Sequence, residues 1–171
     1  MNPAPQLLPD EPLPPYAFVP GQAPHPESDP AGHSFGHTRP PASFAADDWH
    51  HCRAYLRGID LFNAGFLWES HVEFESLWLA CGRRGPTADY FKAWIKLAAA
   101  GVKHREGMGD GVKSHAARAA ELWRGVVEVH ENSSFLGFDL AELIRLADTI
   151  HQAGWPARSP VLLPRMPDET C

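Results

Sequence analysis

Phe62-Asn63-Ala64-Gly65-Phe66-Leu67-Trp68-Glu69-Ser70-His71-Val72-Glu73-Phe74-Glu75-Ser76-Leu77-Trp78 reads as the end of one helix, a glycine break and most of a second helix. At about 100° per residue, Phe66, Leu67, Phe74, Leu77 and Cys81 form an apolar stripe, with His71, Glu75 and Trp78 along one edge. Glu69, Glu73 and Ser76 turn to the other side. His71 and Glu75 are one turn apart and Trp78 follows after another, so an imidazole, a carboxylate and an indole project within one wedge of the helix. A polar pair at the rim of a core is partly dry yet reachable, which suits a ligand or a perturbed acid–base group.

Upstream, Cys52, Tyr55, Leu56, Ile59 and Phe62 recur at helical spacing and predict a first helix, capped by Asp47 or Asp48 and ended by Gly65. The second helix covers 66–81. Gly82-Arg83-Arg84-Gly85-Pro86 breaks the chain, and Thr87 is the expected cap of a third helix built on Tyr90, Phe91, Trp94, Ile95, Ala98, Gly101 and Val102. Its small residues, 98–101, let a neighbour approach closely. A fourth helix over 110–130 buries Leu122, Trp123, Val126 and Val127. The capping sequence Asp139-Leu140-Ala141-Glu142 opens a fifth, which stops at Gly154 and Pro156. No period-two pattern announces a strand. Short connections make sequential helices antiparallel neighbours, so the expected fold class is all-α: a single antiparallel, bundle-like domain of about five helices over 47–155.

Most of the 17 prolines fall before residue 47. They remove backbone donors and bias the residues before them toward extended conformations, so 1–46 is expected to be an arm without helix or central strand. Tyr16, Phe18, Val19, Phe35 and Phe44 punctuate it with apolar anchors, and residues 14–44 are expected to wrap the domain in extended form. An irregular tail occupies 156–171. The start of the chain shows no basic segment followed by an apolar run, and nothing approaches the ~18 apolar residues of a membrane span. A cytoplasmic protein without membrane association is expected.

The chain has 171 residues, 44% of them apolar, with six Trp and nine Phe, which is ample for one buried core. A formal charge of −6, spread along the sequence, argues against nucleic-acid binding, which needs a basic face to displace counterions. Cys52, Cys81 and Cys171 are far apart and odd in number, so they are read as reduced core or tail residues. There is no Gly-x-x-x-x-Gly-Lys loop, no dinucleotide fingerprint after a strand and no Gly-x-Ser-x-Gly elbow. Neither phosphate cradling nor triad hydrolysis is expected.

A histidine and a carboxylate one helical turn apart are half of a metal arrangement, since zinc and iron recruit imidazole and carboxylate from adjacent turns. His71 and Glu75 need at least one further ligand. Glu69, His25, His33, His104 and His115 are the candidates, with Trp78, Trp68 and Lys103 lining a pocket. The arm segment Pro24-His25-Pro26-Glu27-Ser28-Asp29-Pro30-Ala31-Gly32-His33-Ser34-Phe35-Gly36-His37 could fold over the motif helix and supply ligands or exclude water. Each feature has a plainer reading: Glu75 orienting His71 for about 0.2–0.5 kcal/mol, a solvated arm, and Lys92, Lys96 and Lys103 as a solvated face.

The pattern Phe62, Gly65, Trp68, Glu69, His71, Glu75 and Trp78 resembles the signature of the bacterial and archaeal domain of unknown function 309 family, whose hallmark is His-x-x-x-Glu-x-x-(Trp/Tyr). The resemblance runs more weakly through Lys96–Gly107 and His115–Ala119, roughly 47–130. It implies a compact α-helical domain, with metal binding at the His/Glu motif as a suggestion for the family. Val72 departs from the pattern, because family members often carry a second acid there. The leading expectation is therefore a polar pocket around His71, Glu75 and Trp78 that holds a divalent metal, zinc or similar, for metal-assisted hydrolysis. The other is a non-enzymatic small-ligand-binding or protein-interaction module with the motif as a packing network. Self-association stays open.

Overall fold

The computed structural model describes residues 5–130 and 133–167. Cys171 lies outside the described residues. Five α-helices, α1 (Arg53–Asn63), α2 (Leu67–Ala80), α3 (Pro86–Arg105), α4 (Gly109–His130) and α5 (Leu140–Ala153), each pack against the next in the chain. The protein is all-α apart from one small antiparallel hairpin between α4 and α5, in which β1 (Ser134–Phe135) pairs with β2 (Phe138–Asp139). Strands of two residues carry no periodic signature in the sequence. No described helix is long and apolar enough to cross a membrane.

The helix starts differ from expectation at two points. Asp47 and Asp48 belong to a separate 3-10 turn, Ala46–His51, and Cys52 in extended conformation precedes α1 without a side-chain cap. Thr87 does not cap α3, because Pro86 already occupies its first turn and Gly85, at φ 88°, sits at the cap position. Proline suits that place, since its missing N–H is one of the orphaned donors. Asp139 does cap α5, its carboxylate accepting from the Ala141 N–H at 2.8 Å.

Trp94 of α3 occupies the centre of the core, fully buried, stacked on Phe74 of α2 at 5.0 Å and edge-on to Trp123 of α4 at 5.7 Å. Close approach falls where the small residues predicted it. A Cβ on Gly101 would lie 2.4 Å from Leu67 Cδ1, and one on Gly58 would lie 2.9 Å from Phe74 Cζ. The Ser70 hydroxyl donates to the Gly58 carbonyl at 2.8 Å across the same α1–α2 contact.

The arm lies on the α1–α2 pair. Two polar stripes at helical spacing hold it, and both would pass for solvated faces in the sequence. On α1, Asp60 accepts the Leu7 and Leu8 N–H groups on its two oxygens, each at 2.8 Å, and Arg57 donates to the Glu11 and Pro12 carbonyls. Asn63 at the end of that stripe exchanges two hydrogen bonds with the Leu162 backbone, tying down the C-terminal segment. On α2, Glu69 accepts the Phe18 N–H at 2.8 Å and Glu73 pairs with Arg39 at 2.8 Å. Phe18, Val19 and Pro26 are buried under this contact, and Phe44 sits edge-on to Phe91 at 4.8 Å. The arm's course is less extended than expected, because a succession of turns occupies 19–37.

Candidate functional site

The side of α2 that carries Glu69 and Glu73 is the one the arm covers, so both carboxylates are buried despite lying opposite the apolar stripe. A hollow of about 430 Å³ remains between arm and helices, lined by His33, Ser34, Arg39, Arg53, Glu69 and Glu73 among others. Glu69 is its most informative member. One carboxylate oxygen, Oε1, accepts from the Phe18 N–H at 2.8 Å and lies 3.2 Å from His33 Nε2. Its other oxygen, Oε2, is buried with no hydrogen-bond partner among the described residues. Burial pushes the Glu73 carboxyl up, against the pull of Arg39, Arg53 and Arg57.

His33 is held on several sides. Its Nδ1 lies 2.9 Å from Ser34 Oγ, its backbone N–H donates to Tyr16 Oη at 3.3 Å, and the Tyr16 ring meets the imidazole edge-on at 4.8 Å. Tyr16 donates onward to the Pro24 carbonyl at 2.8 Å. The turn beneath is tight: a Cβ on Gly32 would lie 2.2 Å from the His25 carbonyl oxygen, and Gly36 has φ 73°. Gly32-His33-Ser34-Phe35-Gly36 spells Gly-x-Ser-x-Gly, a signal that would have singled out Ser34 from the sequence. It stands in a turn of the arm, not between a strand and a helix as in a hydrolase elbow.

The residues expected to form one metal site are divided by the fold. His33 and Glu69 meet directly. His25 packs edge-on to Trp68 at 5.0 Å and to Phe18 at 5.0 Å, while its Nδ1 accepts from the Glu27 and Ser28 N–H groups. Trp68 also meets His71 edge-on at 6.5 Å, so this indole touches both the arm cluster and the motif helix's histidine. His71 is half-buried, and burial lowers its pKa, opposed by the charge of Glu75 and aided by that of Lys96. Burial also lowers His115, with Lys96, Lys103 and His71 acting in the same direction. His71, Glu75, Lys96 and His115 therefore share one patch across α2, α3 and α4.

His104 lies elsewhere, exposed and stacked on Trp155 at 6.3 Å. Lys103 pairs with Glu106 at 2.8 Å. Trp78 lies under two cations, Arg83 at 5.6 Å and Lys92 at 5.7 Å, and its buried Nε1 has no partner among the described residues. The described residues hold one group of three ligating side chains with donor atoms close enough to share an ion: Asp48, His50 and His51, on the 3-10 turn. His51 already spends its Nδ1 on Asp48 at 2.6 Å.

Residues 55–115 match the family model described as Domain of unknown function (DUF309). The match includes His71, Glu75, Trp78 and Lys96 and reaches His115. It is shorter than the stretch over which the resemblance was read, and the arm and α5 lie outside it. No curated protein matches the chain.

Proposed function

We propose that this α-helical protein binds a small polar molecule in the hollow between the arm and the α1–α2 pair, with Glu69 as the anchoring group. The observation that carries this reading is Glu69, a residue lining that hollow whose Oε2 is buried without a hydrogen-bond partner among the described residues. An unsatisfied buried polar atom costs about 1–3 kcal/mol, which a ligand amine or hydroxyl placed there would recover. Arg39 and Arg53 favour a second, anionic group on the same ligand. Both guanidiniums are exposed, Arg39 pairing with Glu73 and at longer range with Glu27, and Arg53 with Glu11, in near-surface pairs typically worth about 0–1 kcal/mol, which a ligand anion can take over. The ligand class is thus a small amine or alcohol bearing a carboxylate or phosphate. The unpaired cysteine spacing supports a cytoplasmic setting for it.

Thermal unfolding with a set of amino acids and with phosphoethanolamine tests the reading. At least one member should raise the melting midpoint of the natural chain and leave Glu69→Gln unmoved, with both proteins equally helical. A set in which no member shifts the midpoint, or in which Glu69→Gln shifts equally, overturns it.

A divalent metal at His71 and Glu75 is the second reading. Burial favours the neutral, ligating form of the His71 and His115 imidazoles. Their donor atoms and that of Glu75 do not stand close enough together to share an ion, so a side-chain shift has to accompany binding. Lys96 in the same patch repels a cation, which is why this reading ranks second. Elemental analysis of the untagged protein decides it: stoichiometric zinc lost in His71→Ala and Glu75→Ala supports the site, and its absence from the natural chain rules it out.

A further inference from the structure

We infer that Ser34, His33 and Glu69 form an acyl-transfer relay in which Ser34 is the nucleophile, acting on small esters that carry an anionic group. The inference rests on the ligand-binding reading of the same hollow and adds a reaction to it. Three observations converge. Ser34 Oγ, the two imidazole nitrogens of His33 and Glu69 Oε1 follow one another at 2.9 and 3.2 Å. The Phe18 N–H at 2.8 Å holds the carboxylate, and Tyr16 accepts the His33 backbone N–H and packs edge-on against its ring. Ser34 lines the hollow with Arg39 and Arg53, so a bound substrate reaches the hydroxyl.

The order of the imidazole nitrogens follows from these contacts. Glu69 accepts, so the proton of a neutral His33 resides on Nε2 and the lone pair on Nδ1 faces the Ser34 hydroxyl. A serine protease uses the nitrogens the other way round, but either one serves as base when its partner's N–H is held by an acid. Ser34 Oγ attacks the ester carbonyl carbon as its proton passes to Nδ1. The C–O bond to the alcohol then breaks, and the alcohol leaves with the proton from Nδ1, with the acyl group on Oγ. Water, deprotonated by Nδ1, attacks the acyl-serine; the carboxylic acid departs and the proton returns to Oγ. Arg39 and Arg53 are the cations of the hollow available to the oxyanion and to the anionic end of the substrate. Glu69 acts through His33 as a positioning residue.

The full-length chain is treated with a fluorophosphonate probe, the labelled residue is located by peptide mass spectrometry, and hydrolysis of 4-nitrophenyl hydrogen succinate is followed alongside. One label at Ser34 is expected, absent from Ser34→Ala, whose melting midpoint should stay unchanged. Hydrolysis should fall roughly a hundredfold or more in Ser34→Ala and His33→Gln. Labelling by the fluorophosphonate, which needs no anchored ligand, should fall in Glu69→Gln and be partly restored in Glu69→Asp at an unchanged melting midpoint; a merely structural role for Glu69 would lower labelling only together with the midpoint. An unlabelled Ser34 in protein that still shows the ligand-induced thermal shift overturns the relay and leaves the binding reading standing. Labelling without any thermal shift overturns the ligand class while the relay stands.

Discussion

The hydroxyls of Tyr55 and Tyr90 lie 2.6 Å apart in the core, and Tyr55 donates to the Leu136 carbonyl at 2.7 Å. The chain of donors therefore runs from Tyr90 through Tyr55 to the hairpin, joining α1, α3 and the α4–α5 connection. Burial pushes both phenols up, so the bonds persist across the neutral range. Tyr55→Phe strands the Leu136 carbonyl and the Tyr90 hydroxyl together, whereas Tyr90→Phe leaves the onward bond intact. Urea unfolding should show a loss of about 2–4 kcal/mol for the first and about 1 kcal/mol for the second. Equal losses would mean that the donor order is wrong.

Gly58→Ala should destabilise by about 1–3 kcal/mol, because its Cβ enters the face of the Phe74 ring at 2.9 Å. That ring cannot retreat, being stacked against Trp94 at 5.0 Å with 19° between planes. Phe74→Leu introduced into the Gly58→Ala background should then cost less than Phe74→Leu alone. Additive losses in this double-mutant cycle would refute the steric account.

Asp60→Ala should release the start of the arm without unfolding the helices. The carboxylate accepts two backbone N–H groups, and hydrogen bonds to a charged group contribute about 1.5–3 kcal/mol each. Amide exchange at Leu7 and Leu8 should accelerate strongly while the amides of α3 remain protected. Exchange unchanged at those two residues would show that the apolar anchors alone hold the arm.

Acid should destabilise the protein through His71 and His115. Both imidazoles have pKa values below the ordinary 6.5 because burial disfavours the charged form. The unfolded chain therefore binds more protons than the native one below that pH, so stability falls as pH drops from about 6.5 toward the lowered native values and is full above it. Around His71 the groups facing the ring are Glu75, which opposes the shift, and Lys96, which reinforces it; around His115 they are Lys96, Lys103 and His71. His71→Gln combined with His115→Gln should flatten the stability profile between pH 5 and pH 7, measured by urea midpoints. A profile as steep as that of the natural chain would assign the acid loss to other groups.

Glu73→Gln should stabilise at neutral pH. Burial raises this carboxyl above its ordinary 4.5, so its ionised form is less favourable in the native state than in the unfolded chain. That penalty is present at neutral pH and vanishes as pH falls below 4.5. The gain in melting midpoint should therefore disappear in acid. Arg39, whose side chain is 41% exposed and which keeps Glu27 nearby, loses the Glu73 charge at little cost.

Much of the site was legible residue by residue, but not as an arrangement. Glu69, His33, His25 and Trp68 stand out in the sequence for their chemistry, and Ser34 could have been added from the two glycines that flank it. What the sequence could not show is that Glu69 meets His33, because that contact joins residues 36 apart in the chain and depends on how the arm folds back. His104 looked like a ligand only for want of knowing that its ring lies on Trp155.

By itself the sequence determined five helices, the glycine and proline stops between them and the apolar stripe of each, since side-chain periodicity along a helix is a local property. The tertiary structure alone decided what covers the polar stripes Arg57, Asp60 and Asn63 on α1 and Glu69 and Glu73 on α2. Apart from Glu69 Oε2, those side chains are met by backbone N–H and carbonyl groups or by a distant charge such as Arg39. Every residue offers a backbone group whatever its side chain, so a helix face that binds a distant segment of chain and one that binds water are spelled with the same letters.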